Sequence, residues 1–174
     1  MTPVTDSSSL CHMELASSNG NSVSLAIDGY QFPAISGSGD RDWDANWLVI
    51  KGRVTAGDEE WTFRDPCLTT WEGRELSSWL RSVADGSQQP APVDQDGEGG
   101  ELLVFTEPNV AFNLHAATPE GAIVRLYLSL ESLPKSMAGT DIFEYFVELV
   151  LNNAALEATA RDWDAELRAF PVRA

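Results

Sequence analysis

Residues 42–72, DWDANWLVIKGRVTAGDEEWTFRDPCLTTWE, decide the fold class. Over residues 47–56, Leu48, Ile50 and Val54 fall on one face of an extended chain. Lys51, Arg53 and Thr55 fall on the other, the pattern of a half-buried strand. Gly57 and Asp58 turn the chain into a second strand with Trp61 and Phe63 inward and Thr62 and Arg64 outward, so the two pair as a hairpin. Asp65-Pro66 reads as the turn that ends it. Thr69 and Glu72 then have the spacing of a capping box. The helix that follows carries a stripe of Leu68, Trp71, Leu76, Trp79, Leu80 and Val83 and ends near Gly86.

On the N-terminal side, Met13 and Leu15 alternate with polar neighbours. After the turn residues Asn19-Gly20-Asn21, Val23, Leu25 and Ile27 do the same, which predicts another hairpin. Residues 1–10 are polar and aperiodic and read as a loose tail, and SGSGDRD at 36–42 reads as a polar loop. On the C-terminal side, residues 86–100, GSQQPAPVDQDGEGG, are expected to form a mobile surface loop. Leu102, Val104, Phe112, Leu114, Val124, Leu126, Leu128 and Leu130 describe three more strands. FEYFVELVLN at 143–152 suits either a strand or a buried helix and is assigned as a strand with Phe143, Tyr145, Val147 and Leu149 on one face. Leu156, Ala160, Trp163, Leu167 and Phe170 predict a helix over residues 154–170, capped by Asn153 and stopped by Pro171. The order predicts one α+β domain over residues 11–174. It is an antiparallel sheet or small sandwich of seven to eight strands, with one inserted and one C-terminal helix.

Lys and Arg number 11 against 27 Asp and Glu, a net charge of −16. Nucleic-acid binding calls for a basic patch, so this balance speaks against it. It favours encounter with a basic protein, although acidity also serves solubility alone. No apolar run has the ~20 residues of a membrane span. The N-terminus lacks the basic and apolar regions of a secretory signal, and the expected location is the cytoplasm. Cys11 and Cys67 fit no metal spacing and are expected to stay reduced there.

Asp40, Asp42, Asp44 and Asn46 alternate like the first ligands of a calcium loop, but Ala45 replaces the glycine at the sixth position and Lys51 the glutamate at the twelfth. The stretch is therefore read as a solvated acidic turn, and no metal or cofactor is expected. His12 and His115 lie in no nucleophile or metal motif, and neither glycine-rich stretch leads into a phosphate-binding helix. Of six tryptophans, Trp71, Trp79 and Trp163 fall on helix stripes and Trp61 on an inward strand face. Trp43 and Trp47 instead flank acidic groups, where they serve either the core or a binding surface.

DWDANWL at 42–48 and DPCLTTWE at 65–72 resemble the WapI-type bacterial immunity proteins. So does the order of YQFP at 30–33, TEPNVAFNL at 106–114, RLYLSLES at 125–132 and AFPVR at 169–173. The resemblance covers residues 22–173. It implies a binding protein, not an enzyme, that silences the tRNA-cleaving nuclease end of a contact-dependent toxin. The expected mechanism is docking of an acidic surface on a basic nuclease groove. Asp40, Asp42, Trp43, Asp44 and Asn46 are the first candidates for contact, and Asp58, Glu59 and Glu60 form a second acidic patch. An alternative is a ligand-binding domain or enzyme in which several of Arg53, Arg64, His115, Arg125 and Tyr127 converge in a cleft on one sheet face. A third is an assembly subunit with an extensive exposed apolar patch.

Overall fold

The computed structural model describes residues 12–35, 42–94 and 99–173. Asp40, Cys11 and the predicted N-terminal tail lie outside them, and so does any meeting of Cys11 with Cys67. Among the described residues eight strands form two four-stranded antiparallel meanders in the α+β class. The first holds β1 (Met13–Ala16), β2 (Ser22–Tyr30), β3 (Trp47–Ala56) and β4 (Glu59–Thr69). The second holds β5 (Leu103–Val104), β6 (Val110–Thr118), β7 (Gly121–Leu128) and β8 (Phe146–Asn152). A short helix, α1 (Trp43–Asn46), precedes β3. Each meander then runs directly into a 15-residue helix, α2 (Thr70–Ala84) or α3 (Asn153–Leu167). The junction is made the same way twice. The last strand residue, Thr69 or Asn152, stays extended while its side chain accepts a helix N–H, so one residue ends the strand and caps the helix. At Thr69 the capping box with Glu72 is complete, as its spacing predicts.

The helices pack crosswise. Trp79 of α2 lies with its ring 5.7 Å from Phe112 in the second sheet. On α3, the Thr159 hydroxyl donates to the Glu14 carbonyl of the first sheet. Where the helices touch, Trp163 is fully buried and its indole N–H donates to the Gly73 carbonyl at 2.8 Å. Gly73 permits the approach, because a Cβ there would lie 2.8 Å from a Leu167 methyl. Inward residues of both sheets and both helices form one hydrophobic core that runs from Met13 to Leu167. The β1–β2 turn closes the second sheet: Asn19 and Asn21 donate to the Glu148 carbonyl, and Ser17 accepts from Val150 N–H, so the outer edge of β8 is covered.

Several readings need correction. Asp65-Pro66 is no turn but part of β4, where Pro66 sits opposite Val49 beside a register shift. An edge strand tolerates the missing N–H there. The strand assigned to residues 143–152 begins at Phe146, because Phe143 takes φ 64°, and Leu130 (φ 56°) lies beyond the end of β7. The cap of α3 is Asn152, not Asn153, and the helix ends at Leu167. The four-residue helix α1 adds a third helix that no periodicity announced.

Candidate partner-binding site

The acidic turn is fastened from below. Asp42 caps α1 by accepting Ala45 N–H at 3.2 Å. One turn on, Asn46 is fully buried and uses both ends of its amide. Its Nδ2 donates to the carbonyls of Asp42 (2.8 Å) and Arg173 (2.7 Å), and its Oδ1 accepts from Arg173 N–H and from the Thr70 hydroxyl, both at 2.8 Å. One side chain thus ties α1, the start of α2 and the C-terminal segment together. Arg173 continues the tie. Its guanidinium lies 3.5 Å from the Tyr30 ring centroid and donates to the carbonyls of Phe32, Pro33 and Ile35. The Tyr30 hydroxyl in turn donates to the Pro171 carbonyl at 2.6 Å.

Above this hub stands an aromatic cluster. Trp43 meets Trp71 edge to face at 5.0 Å and Trp47 at 6.2 Å. Trp47 and Trp71 are half-buried, whereas Trp43 is 45% exposed and Asp44 beside it is exposed. Trp71, expected on the core stripe, therefore supports Trp43 instead. An indole packed against two others and left open to solvent is preorganised for contact, because its rotamers are already restricted.

The second acidic patch is elsewhere. Asp58 is exposed in the β3–β4 turn, Glu59 accepts from the Ser136 hydroxyl at 2.8 and 2.9 Å, and Glu60 is paired with Arg53 at 2.7 Å. The ten residues of β3 separate the two patches by roughly 30 Å at ~3.3 Å per residue. Between them, along β4, Asn109 Nδ2 donates to Glu131 at 3.0 Å, and burial together with the nearby Glu131 raises the Asp65 pKa above its ordinary value.

The cleft expected on one sheet face is divided. Arg53 and Arg64 line a cavity of about 580 Å³ on the outer face of the first sheet, with Lys51 and Arg64 both bonded to Asp28. Arg125 and Tyr127 line another of about 640 Å³ on the second sheet, where Arg125 is paired with Glu148 and lies 4.3 Å from the Phe146 ring centroid. His115 lies in the register shift of β6 and lines neither. Burial raises the Cys67 thiol pKa, which keeps it protonated and a poor nucleophile. Among the described residues no three His, Cys, Asp or Glu are grouped to hold a metal, and no helix is long and apolar enough to cross a membrane.

The hub draws on the sequence signatures themselves: YQFP through Tyr30 and its following carbonyls, DWDANWL through Asp42 and Asn46, DPCLTTWE through Thr70 and Trp71, and AFPVR through Pro171 and Arg173. Residues 14–171 match the Immunity protein WapI-like family. The chain belongs to that family. The WapI-like family is one of immunity proteins, so toxin neutralisation is its function and a toxin its partner. No curated protein and no solved structure matches the chain.

Proposed function

We propose that this WapI-like protein neutralises a toxin nuclease in the cytoplasm by occlusion, without catalysis of its own. Its acidic surface docks on the basic groove that would otherwise hold RNA phosphates. The observation that carries this reading is Trp43, exposed on a fixed base of Trp47 and Trp71 and flanked by Asp42 and Asp44. Charge sets the rate of encounter, and the desolvated indole supplies most of the bound stability. Asp42 and Asn46 act by holding α1 in place, and Asp44 presents its carboxylate directly. Asp40 joins them on sequence grounds, and Asp58, Glu59 and Glu60 steer the approach from the far end of the β3–β4 hairpin.

The test uses the nuclease domain of a toxin encoded beside this chain, and the lack of any such neighbouring gene would count against the reading. Trp43→Ala should weaken binding by about 2 kcal/mol or more, roughly thirtyfold, as central tryptophans of interfaces do. Asp44→Lys should slow association at low salt and have less effect at high salt. Unchanged neutralisation by the Trp43→Ala, Asp44→Lys double variant would sink this version of the docking.

A further inference from the structure

The chain between β7 and β8 combines a rigid base with apolar tips. Leu130 and Phe143 are the non-glycine residues with positive φ among those described. Bulky side chains adopt that conformation at a cost, and it persists where surrounding bonds over-determine it. Here they do. The buried Ser129 hydroxyl accepts from Phe143 N–H at 3.0 Å, Ser132 accepts from Ser129 N–H at 2.9 Å, and the Trp61 indole donates to the Ser132 carbonyl at 2.9 Å. The bond from Phe143 to Ser129 puts Leu130 and Ile142 on either side of it, one residue from each end. Leu130 is 47% exposed and Ile142 46%, with Met137 on the same connection and Phe146 at the start of β8 both 38% exposed. Folding gains little from apolar side chains left in water, so a strained arch that holds them there is explained by something that covers them.

Charge selects the occupant. Residues 129–146 carry Glu131, Asp141 and Glu144 against Lys135, with Glu59 of β4 bonded to Ser136 and Asp65 of β4 close to Glu131. A second copy of the chain would bring the same carboxylates against themselves, and an anionic lipid surface would be repelled. A basic protein surface with shallow apolar depressions fits both the charge and the tips. We propose that the β7–β8 arch docks such a surface, and that it belongs to the same toxin. This rests on the reading above. The toxin is gripped at two places, by Trp43 beside Trp71 just past the Thr69 end of β4 and by Leu130 and Ile142 on the arch, which is tied to β4 through Ser132 to Trp61 and Ser136 to Glu59.

The experiment compares wild type, Leu130→Asn, Ile142→Ser and their double variant for affinity to the neighbouring toxin domain and for thermal unfolding. Asn tolerates positive φ, so Leu130→Asn should fold at least as stably as wild type. The double variant should bind about tenfold more weakly or worse, with most of the change in dissociation. Wild-type binding with the double variant within about threefold would overturn the arch and leave the Trp43 reading standing. Failure of the wild type to bind would sink both. Sedimentation gives the remaining arm: a monomer is expected, and a dimer dissolved by Ile142→Ser would assign the arch to a second copy and overturn the proposal.

Discussion

Replacing Asn46 by alanine removes four hydrogen bonds from a fully buried position. A buried hydrogen bond contributes about 1 kcal/mol net, and a partner left unsatisfied costs ~1–3 kcal/mol. If residues 171–173 peel away, the amide and carbonyl of Arg173 regain water, which limits the loss. The Thr70 hydroxyl stays buried and must find another acceptor. The net destabilisation is about 3 kcal/mol, which for a chain of this length lowers Tm by about 6–12 °C. Asn46→Asp separates hydrogen bonding from volume. It keeps the shape but turns acceptor oxygens toward the carbonyls of Asp42 and Arg173, so it should cost as much as alanine or more. Chemical denaturation gives the free energies. Amide exchange at Arg173 reports the tail directly and should accelerate in both variants. A loss below about 1 kcal/mol for alanine, or a well-tolerated aspartate, would refute the hub.

Further outcomes follow from the packing and the charges. A Cβ at Gly121 would sit 1.8 Å from the Leu151 carbonyl oxygen, a backbone atom that cannot swing aside. Gly121→Ala should therefore cost about 2–3 kcal/mol in equilibrium unfolding. Burial raises the Glu166 pKa, partly offset by the bond from Ile27 N–H, and its Oε2 is buried without a partner. A folded pKa above the unfolded one means that the folded chain holds the proton longer, so this group's contribution falls as pH rises from the ordinary 4.5 through the raised value. The stability difference of Glu166→Gln from wild type should rise across that window and be level above it. Asp28 has the opposite sign. Hydrogen bonds from Lys51 and then Arg64 lower its pKa, so its contribution is present above 3.8 and lost as pH falls through the lowered value. Asp28→Asn should flatten that acid leg, by less than about 1 kcal/mol because the pairs face solvent.

What was legible in the sequence was local. The limits of β3 follow from its alternation and its glycine turn. The capping box follows from the three-residue spacing of Thr69 and Glu72, and the core stripe of α3 follows from period 3.6. Asp65-Pro66 was misread because its dipeptide preference is for turns, and the edge position that overrides the preference depends on the sheet. Asn46 was grouped with exposed acids for its place in an alternating run. Besides Asp42, its partners are Thr70 and Arg173, 24 and 127 residues away, a separation that no window spans. The same holds for Trp43 and Trp71. The arch at residues 129–146 left the faintest trace, since apolar Leu130 and Phe143 read as strand while Ser129 and Ser132 hold them in another conformation. Both acidic runs are visible in the sequence, but the separation of their described residues is visible only once the hairpin is laid out.

Titration of the purified protein against the nuclease domain of a toxin found encoded beside it, reading binding and tRNA cleavage together, tests the central claim. The account predicts tight binding that weakens as salt rises and stops cleavage in step with occupancy. Absence of binding, or a complex in which cleavage continues, would contradict it.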